Sequence, residues 1–442
     1  MGLTMRTCSL LLMIALLASL FPYPTEGQTI NGRFNTTFYT WDRLDGQLAG
    51  PDELRKVTHF RGYQTFRFGI THGDFSIRTY SQFSQDFNTR MERDPIGRVY
   101  DLHLRWRNIF DVLELNFGRH PIYSGVGRGT IDGGSLRLNI DDGKFTAHIY
   151  AGSLVRPFQS GRIQSWNDRR MVGGHLAVRP VQGLYASVSY MDRHNKREPY
   201  RATRADSLLN PMQVLIDGDS REFQLASTDI SYQLGNRASL YGRFDYNLDD
   251  SQPQRMEFWS RVNITSELAL TGEFIYREPL VPLNSIFRMF EIESNQEIEG
   301  GIEYRLTDWL TLTGRVAHVT YDDDNSARIA VSAESNYGSF SFSRTDGYAG
   351  DMNSFSVMGN YPLTGDDTWV VSVGGGYATY TPADYDGPSD WALSAIGGIS
   401  HKVSRSFSLD LRGQYITNRV FDYDTRIFMR VNYWFFENLG IF

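Results

Sequence analysis

The feature that most constrains this chain is a two-residue alternation of apolar and polar side chains over 28–442. It repeats in roughly twenty-two segments, each near the ten residues that a tilted strand needs to cross a bilayer. In one of them, Leu268 and Leu270 fall on one parity and Thr271 and Glu273 on the other. Because successive strand side chains point to opposite faces, one face suits lipid and the other water. The pattern predicts an all-β protein, a single transmembrane antiparallel up-and-down β-barrel of about 22 strands (18 to 22).

Residues 1–27 have the features of a secretory signal peptide that precedes a barrel domain at 28–442. Arg6 comes before an apolar run from Leu10 to Phe21, and 25–27 offers a cleavage point. The run is about twelve residues, shorter than the roughly twenty of a spanning helix. We therefore expect export across the inner membrane and residence in the outer membrane of a Gram-negative bacterium.

Composition excludes several classes of function. Cys8 is the only cysteine and lies in the segment expected to be removed, so the mature chain lacks a thiolate nucleophile and a cysteine-based metal or haem site. The formal net charge is only -7, with both signs spread along the chain, which argues against a nucleic-acid partner. No catalytic elbow motif and no metal-ligand spacing occurs, so we expect no enzyme activity, no cofactor and no metal site.

Connections between the segments alternate in length. The short ones are His72-Gly73-Asp74, Asp141-Asp142-Gly143, Gly235-Asn236-Arg237, Thr307-Asp308 and Tyr337-Gly338-Ser339. The long ones are Asp45 to Thr58, Arg119 to Gly134, Val155 to Asp168, Arg193 to Arg221, Glu278 to Asn295 and Thr381 to Asp390. Short periplasmic turns and long extracellular loops are typical of outer-membrane barrels, and both termini then lie on the periplasmic side.

The parity that faces the lumen carries the candidate functional residues, since lipid-facing positions must be apolar. The predicted basic pore-lining residues are Arg61, Arg67, Arg78, His103, Arg105, Arg107, Arg137 and Lys144. The predicted acidic pore-lining residues are Glu273, Glu297, Glu299 and Glu303. Opposed charged walls would impose a transverse field and favour polar or anionic solutes near the basic side, whereas the alternative is solvated side chains that pair with their neighbours.

Two further segments carry predictions about local structure. The loop from Arg193 to Arg221 has room for a short helix near Ser207 to Leu215. The parity of apolar residues changes between Leu225 and Ile230, and a β-bulge is the simplest explanation.

Two stretches resemble known outer-membrane proteins. Phe117 to Gly134, with its Gly118-Arg119 pair before a glycine-rich loop, resembles a strand-to-loop sequence of several porin-like families. Folded inward, this loop would narrow the pore and be lined by Arg119, His120 and Arg128; the alternative is a surface loop with glycines at tight turns. The final segment ends in Phe442 and resembles the outer-membrane β-barrel class, whose last strand commonly ends in an aromatic residue read by the barrel-insertion machinery.

The favoured function is a porin-like channel for passive or substrate-biased diffusion of small hydrophilic solutes. Its other expected partners are outer-membrane lipid and lipopolysaccharide, a second copy of the chain, or a protein that fills the lumen. About 22 strands close into a barrel roughly 45 Å across, which would leak if empty. The alternatives are therefore a structural sheath for a partner such as a cytochrome conduit, a polymer-export component, and a barrel hydrolase.

Overall fold

The structure is a computed structural model of the chain. It describes residues 28–45, 55–88, 94–156, 161–196, 200–205, 211–216, 221–281, 294–365, 367–383, 387–419 and 422–439. The predicted signal peptide and the C-terminal Phe442 lie outside these ranges. Among the residues described, no helix is long and apolar enough to cross a membrane.

The described chain is built of β-strands. Their bounds are β1 Gln28–Asp45, β2 Arg55–His72, β3 Phe75–Asp86, β4 Ile96–Ile109, β5 Leu113–Ser124, β6 Gly127–Ile140, β7 Phe145–Leu154, β8 Arg169–Val178, β9 Leu184–Asn195, β10 Tyr200–Ala205, β11 Pro211–Ile216, β12 Arg221–Leu234, β13 Ala238–Asn247, β14 Gln252–Asn263, β15 Leu268–Arg277, β16 Asn295–Thr307, β17 Leu310–Thr320, β18 Asn325–Ser335, β19 Gly338–Gly347, β20 Gly350–Pro362, β21 Trp369–Pro382, β22 Asp390–Lys402, β23 Phe407–Asn418 and β24 Asp424–Leu439.

Twenty-two of these strands form one closed antiparallel sheet. Each pairs with the next along the chain, β9 pairs with β12, and β24 pairs with β1 from Gln28–Leu439 to Tyr39–Phe428, which closes the ring. The remaining two strands, β10 and β11, form a separate hairpin in the connection between β9 and β12. The prediction of an all-β, up-and-down barrel of about 22 strands is confirmed, and closure leaves this 22-stranded sheet without an edge strand.

The two faces of the sheet differ as the alternation predicts. On β4, Leu102, Leu104 and Trp106 are exposed on the outer face, while His103 and Arg105 lie between them on the inner face. Short connections such as 73–74 and 235–237 gather at one end of the barrel, the short-turn rim, where the first and last strands also have their outer ends. The strand ends at Leu154, Arg169, Asn195 and Arg221, which the longer connections join, lie at the opposite end, the long-loop rim.

The segment predicted as a long loop over 119–134 is a β-hairpin instead. Strands β5 and β6 pair continuously to Ser124–Gly127, so that only Gly125 and Val126 connect them. The hairpin tip lies inside the barrel, because the Val126 amide donates to Ser189 Oγ at 3.0 Å and Ser189 is on the inner face of β9. A two-residue turn satisfies backbone hydrogen bonds that an irregular loop would leave open.

Glycines permit the two hairpin strands to turn into the lumen together. Gly118 and Gly133 are directly paired, and Gly118 has a φ of 123°, which disfavours any residue with a side chain. A Cβ at Gly133 would lie 2.2 Å from the Ala151 carbonyl oxygen, and one at Gly118 would lie 2.5 Å from that of Leu102. The backbones therefore approach more closely at this bend than any side chain allows.

An apolar cluster inside the barrel holds the hairpin against the wall. Its buried members are Ile122, Val126, Ile131, Tyr150, Leu154, Met171, Met191 and Leu225, with Phe223 packed against them. Burying an aliphatic side chain of this size stabilises by about 1.5–3 kcal/mol. The inner wall formed by β7–β9 and β12 is thus partly apolar, unlike the wholly polar lumen that the alternation suggests.

Two of the local predictions are wrong. No register shift occurs between Leu225 and Ile230; the shift in the β9–β12 pairing lies at Arg221 and Phe223. The parity changes because Leu225 faces inward onto the hairpin, whereas Ile230 faces outward. The short helix predicted near 207–215 is also wrong over the described part of that range, where Pro211–Ile216 is a strand paired with Tyr200–Ala205.

Candidate functional site

A cavity of about 720 Å³ lies in the lumen between the hairpin tip and the inner wall. From the hairpin it is lined by Tyr123, Ser124, Gly125 and Arg128, and from the wall by Arg137, Thr146, His148, His175, Arg179, Tyr185, Asp229, Tyr241 and Arg243. Four arginines and two histidines face a single carboxylate across it. A cavity of this composition suits a polar or anionic solute.

The hairpin side of the cavity is fixed by polar contacts to the wall. Ser124 Oγ lies 2.9 Å from His148 Nδ1 of the wall, and within the wall itself the Tyr185 hydroxyl lies 3.4 Å from His175 Nε2. His148 and His175 are directly paired on β7 and β8, so both rings stand side by side on the inner face. The hairpin tip is therefore positioned both by the apolar cluster and by the hydrogen bonds of Ser124 and the Val126 amide.

The opposite side of the cavity is a compact network around one acid. Asp229 accepts hydrogen bonds from the Tyr241 hydroxyl at 3.0 Å and from Ser187 Oγ at 3.3 Å. Arg243 lies 3.6 Å from Asp229 and forms a 2.8 Å ion pair with Asp245. The carboxylates here are engaged by neighbours, which leaves Arg128 and Arg137 as cations of the cavity wall with no ion pair in the part of the chain that the structure describes.

The three residues predicted to line a constriction occupy different environments. Arg119 is 5% exposed and forms a bidentate ion pair with Asp132, both bonds at 2.7 Å. His120 is 4% exposed, with Nε2 3.0 Å from Ser135 Oγ. Arg128 is exposed at the tip and lines the cavity. Arg119 and His120 therefore brace the base of the hairpin, whereas Arg128 faces the lumen.

Most of the predicted basic residues share one inner wall. Arg78 and His103 are paired across β3 and β4, and Arg137 is paired with Glu114 on β5. Arg105 Nη2 lies 2.5 Å from Glu114 Oε2, which offsets one of these charges. Arg107 follows on the same face of β4, close to the short-turn rim.

Three others differ from simple pore-lining residues. Arg61 is buried and pairs with Asp94 at 2.8 Å, near the long-loop rim. Arg67 is exposed to the lumen, with its guanidinium carbon 4.3 Å from the Tyr80 ring centre. Lys144 lies in the β6–β7 turn at the short-turn rim; Asp141 accepts its 2.7 Å hydrogen bond and thereby raises the pKa of Lys144.

The predicted acidic residues lie together on β15 and β16, but arginines neutralise most of them. Glu273 and Glu299 are directly paired in register. Arg328 bridges Glu297 and Glu299, and Arg261 pairs with Glu303. One wall is therefore basic, because acids compensate only part of its charge, and the other wall is nearly neutral.

Sequence reasoning missed several members of the cavity. Tyr123, His175, Asp229 and Arg243 were not selected, although all but Tyr123 lie on the inner parity of their strands. The parity of a residue on its strand shows whether its side chain faces the lumen. It does not show which side chains of other strands lie near it. Only the inward hairpin, which reaches Ser189 across two intervening strands, brings these side chains to one place.

Comparisons with known proteins find similarity in structure only. No protein-family model matches the sequence, and no curated protein matches it. OccAB4 of Acinetobacter baumannii has a TM-score of 0.43 at 10% identity, covering 94% of this chain and 100% of that one. Pseudomonas aeruginosa OpdK, solved with vanillate, has a TM-score of 0.43 at 11% identity, covering 93% and 99%.

A third structure is similar at the level of the fold. A chain of the E. coli P pilus tip assembly intermediate PapC-PapD-PapK-PapG has a TM-score of 0.52 at 10% identity, covering 93% of this chain and 62% of that one. At this identity the likeness shows the fold alone. With its closed sheet and its outer face of exposed apolar side chains, the chain has the fold of an antiparallel up-and-down β-barrel.

Proposed function

We propose that this protein is an outer-membrane channel through which small hydrophilic solutes diffuse, with a bias toward anions. The observation that carries the proposal is the docked β5–β6 hairpin inside a closed barrel whose inner wall is charged. A barrel of this strand number would be roughly 45 Å wide at the backbone. A hairpin held in the lumen turns such a ring into a size-limited passage.

The bias toward anions rests on uncompensated charge. Arg78, Arg128 and Arg137 face the lumen, and none of them forms an ion pair in the part of the chain that the structure describes. Fixed cations in a confined aqueous lumen raise the local concentration of anions and replace part of their hydration. Residues 1–27 would direct export, and the barrel would reach the outer membrane through the barrel-insertion machinery, among lipid and lipopolysaccharide.

Liposome swelling with sugars of graded size tests the channel. Liposomes that contain the purified chain should swell in small sugars and progressively more slowly in larger ones. A matched variant with 120–131 replaced by a short Gly-Ser turn should pass larger sugars than the native chain. No swelling with the smallest sugar, or an unchanged size limit after the replacement, would contradict the proposal.

The same preparation separates the channel from the sheath. A lumen protein that co-purifies with the barrel and fills it would favour the sheath or export component. The hairpin and its apolar cluster occupy one side of the lumen, which leaves less room for such a partner and favours the channel.

A further inference from the structure

A second group of basic side chains lies on the wall formed by β24, β1, β2 and β3, away from the hairpin. Arg33 and Arg67 are directly paired across β1 and β2, and Arg430 is paired with Thr37 across β24 and β1. All three arginines line one lumen cavity of about 300 Å³. The cavity that the three guanidinium groups share is therefore about the size of one small solute molecule.

Each of these guanidinium groups is stacked on an aromatic ring. The distances from the guanidinium carbon to the ring centre are 5.0 Å for Arg33 over Trp434, 4.3 Å for Arg67 over Tyr80 and 4.7 Å for Arg430 over Phe428. Stacking covers a flat face and fixes the plane, while the N–H donors lie at the edge of that plane. The N–H groups along this edge can donate two parallel hydrogen bonds to two oxygens of a carboxylate or phosphate group.

None of these three arginines forms an ion pair with an acid within the described residues. Arg33 Nη2 donates to Asn432 at 2.8 Å, a neutral acceptor, and the Nε atoms of Arg33 and Arg430 are buried without a hydrogen-bond partner. The carboxylate of Asp410, which is opposite Arg430 in register, instead accepts from Ser400 at 2.6 Å and from Asn432 at 3.2 Å.

Two lumen arginines, unlike these three, are held by acidic partners. Arg328 pairs with two glutamates, and Arg243 lies between two aspartates. Arg33 and Arg430 are partly buried and Arg67 is exposed to the lumen. Like charges close together repel and partly buried charge without a partner costs free energy, so the three guanidinium groups are stabilised when an anion enters the cavity.

We propose that Arg33, Arg67 and Arg430 form a binding site for a multivalent oxyanion, either a phosphate-type anion or a polycarboxylate. In the proposed channel, such solutes bind at this site during their passage, close to β24, the strand that closes the barrel. That role rests on the proposed function, whereas binding itself does not.

Calorimetric titration of the detergent-solubilised full chain tests the site. Inorganic phosphate, succinate and chloride are titrated separately at constant ionic strength. Phosphate or succinate should bind saturably and chloride should not, and whichever of the two binds more tightly identifies the tetrahedral or the planar ligand. Arg33→Gln, Arg67→Gln and Arg430→Gln should each weaken binding by about tenfold or more, since each removes a charge-assisted pair.

Matched variants distinguish a built site from the general field of the lumen. Arg315→Gln removes the same charge from β17, where Arg315 lies 3.6 Å from Glu299, and should leave affinity unchanged. Arg67→Lys keeps the positive charge but loses the planar guanidinium that stacks on Tyr80 and donates paired hydrogen bonds. This variant should therefore still weaken binding. Circular dichroism of every variant establishes that the barrel is intact.

Three results would overturn the site: absence of saturable binding, binding unaffected by all three glutamine variants, or an equal loss in Arg315→Gln. Failure of liposome swelling with oxyanion binding intact would instead reject the channel and leave the site standing.

Discussion

At the scale of single residues, burial separates ion pairs that stabilise the fold from those that do not. Arg119 and Asp132 form a bidentate pair at the base of the hairpin, with side chains 5% and 9% exposed. Lys144 and Asp141 form an equally short pair in a turn, with side chains more than half exposed. Removing one partner of a buried pair leaves an uncompensated charge, whereas water replaces a partner at the surface.

We predict that Arg119→Leu destabilises the barrel by about 3–5 kcal/mol, because the Asp132 carboxylate then stays buried and unpaired. The double variant Arg119→Leu/Asp132→Leu should recover most of that loss. Thermal unfolding in detergent, followed by circular dichroism, measures both.

The control is Lys144→Leu, for which we expect a change of about 0–1 kcal/mol. Equal losses from Arg119→Leu and Lys144→Leu would show that the buried pair has no special role in the hairpin base.

At the scale of elements, the β5–β6 hairpin is the feature that distinguishes this barrel from an open ring. One hairpin face, with Ile122 and Ile131, packs into the apolar cluster, while Tyr123 on the other face is 79% exposed to the lumen. The hairpin is therefore a docked element whose apolar contacts to the wall come from one face only.

We predict that Ile131→Ala weakens this docking by about 2–5 kcal/mol, since Ile131 is fully buried and the substitution leaves a cavity. Hydrogen exchange of hairpin amides should accelerate by at least about tenfold, because tenfold corresponds to about 1.4 kcal/mol. Tyr123→Ala in the same hairpin should leave exchange unchanged. Unaltered exchange in Ile131→Ala would show that the cluster does not hold the hairpin.

At the scale of the whole molecule, the distribution of ion pairs around the ring makes one wall more positive than the other. The wall with Arg78 and Arg137 carries cations in excess, while Arg328 and Arg261 neutralise the glutamates of β16. The net field across the lumen therefore comes mainly from the basic wall.

We predict that Arg78→Glu combined with Arg137→Glu lowers the ratio of anion to cation permeability by roughly twofold or more, because both arginines face the lumen without an ion pair in the described residues. The reversal potential of a planar bilayer under a salt gradient measures this ratio. Arg315→Glu, on the nearly neutral wall, should change it less. An unchanged ratio in the double variant would remove the basis for anion selectivity.

The sequence alone predicts the barrel because alternation is a local property of each strand, as Leu268 to Glu273 shows. It does not predict the lumen core, because Leu225 and Met171 on the inner parity look like irregularities until the hairpin that covers them is known. The sequence also shows which residues are charged, but it does not show which of them form ion pairs. Arg61 and Arg119 share the inner wall's composition, yet each is buried against an aspartate that lies 33 or 13 residues away.

The asymmetric docking of the hairpin also matters for any solute that crosses the lumen. Because its apolar face rests on β7–β9 and β12, the hairpin lies against one side of the ring, and the cavity beside β24 and β1–β3 lies on a different part of the wall. In the proposed channel, solutes would therefore follow a route that is displaced from the barrel axis and runs beside the hairpin.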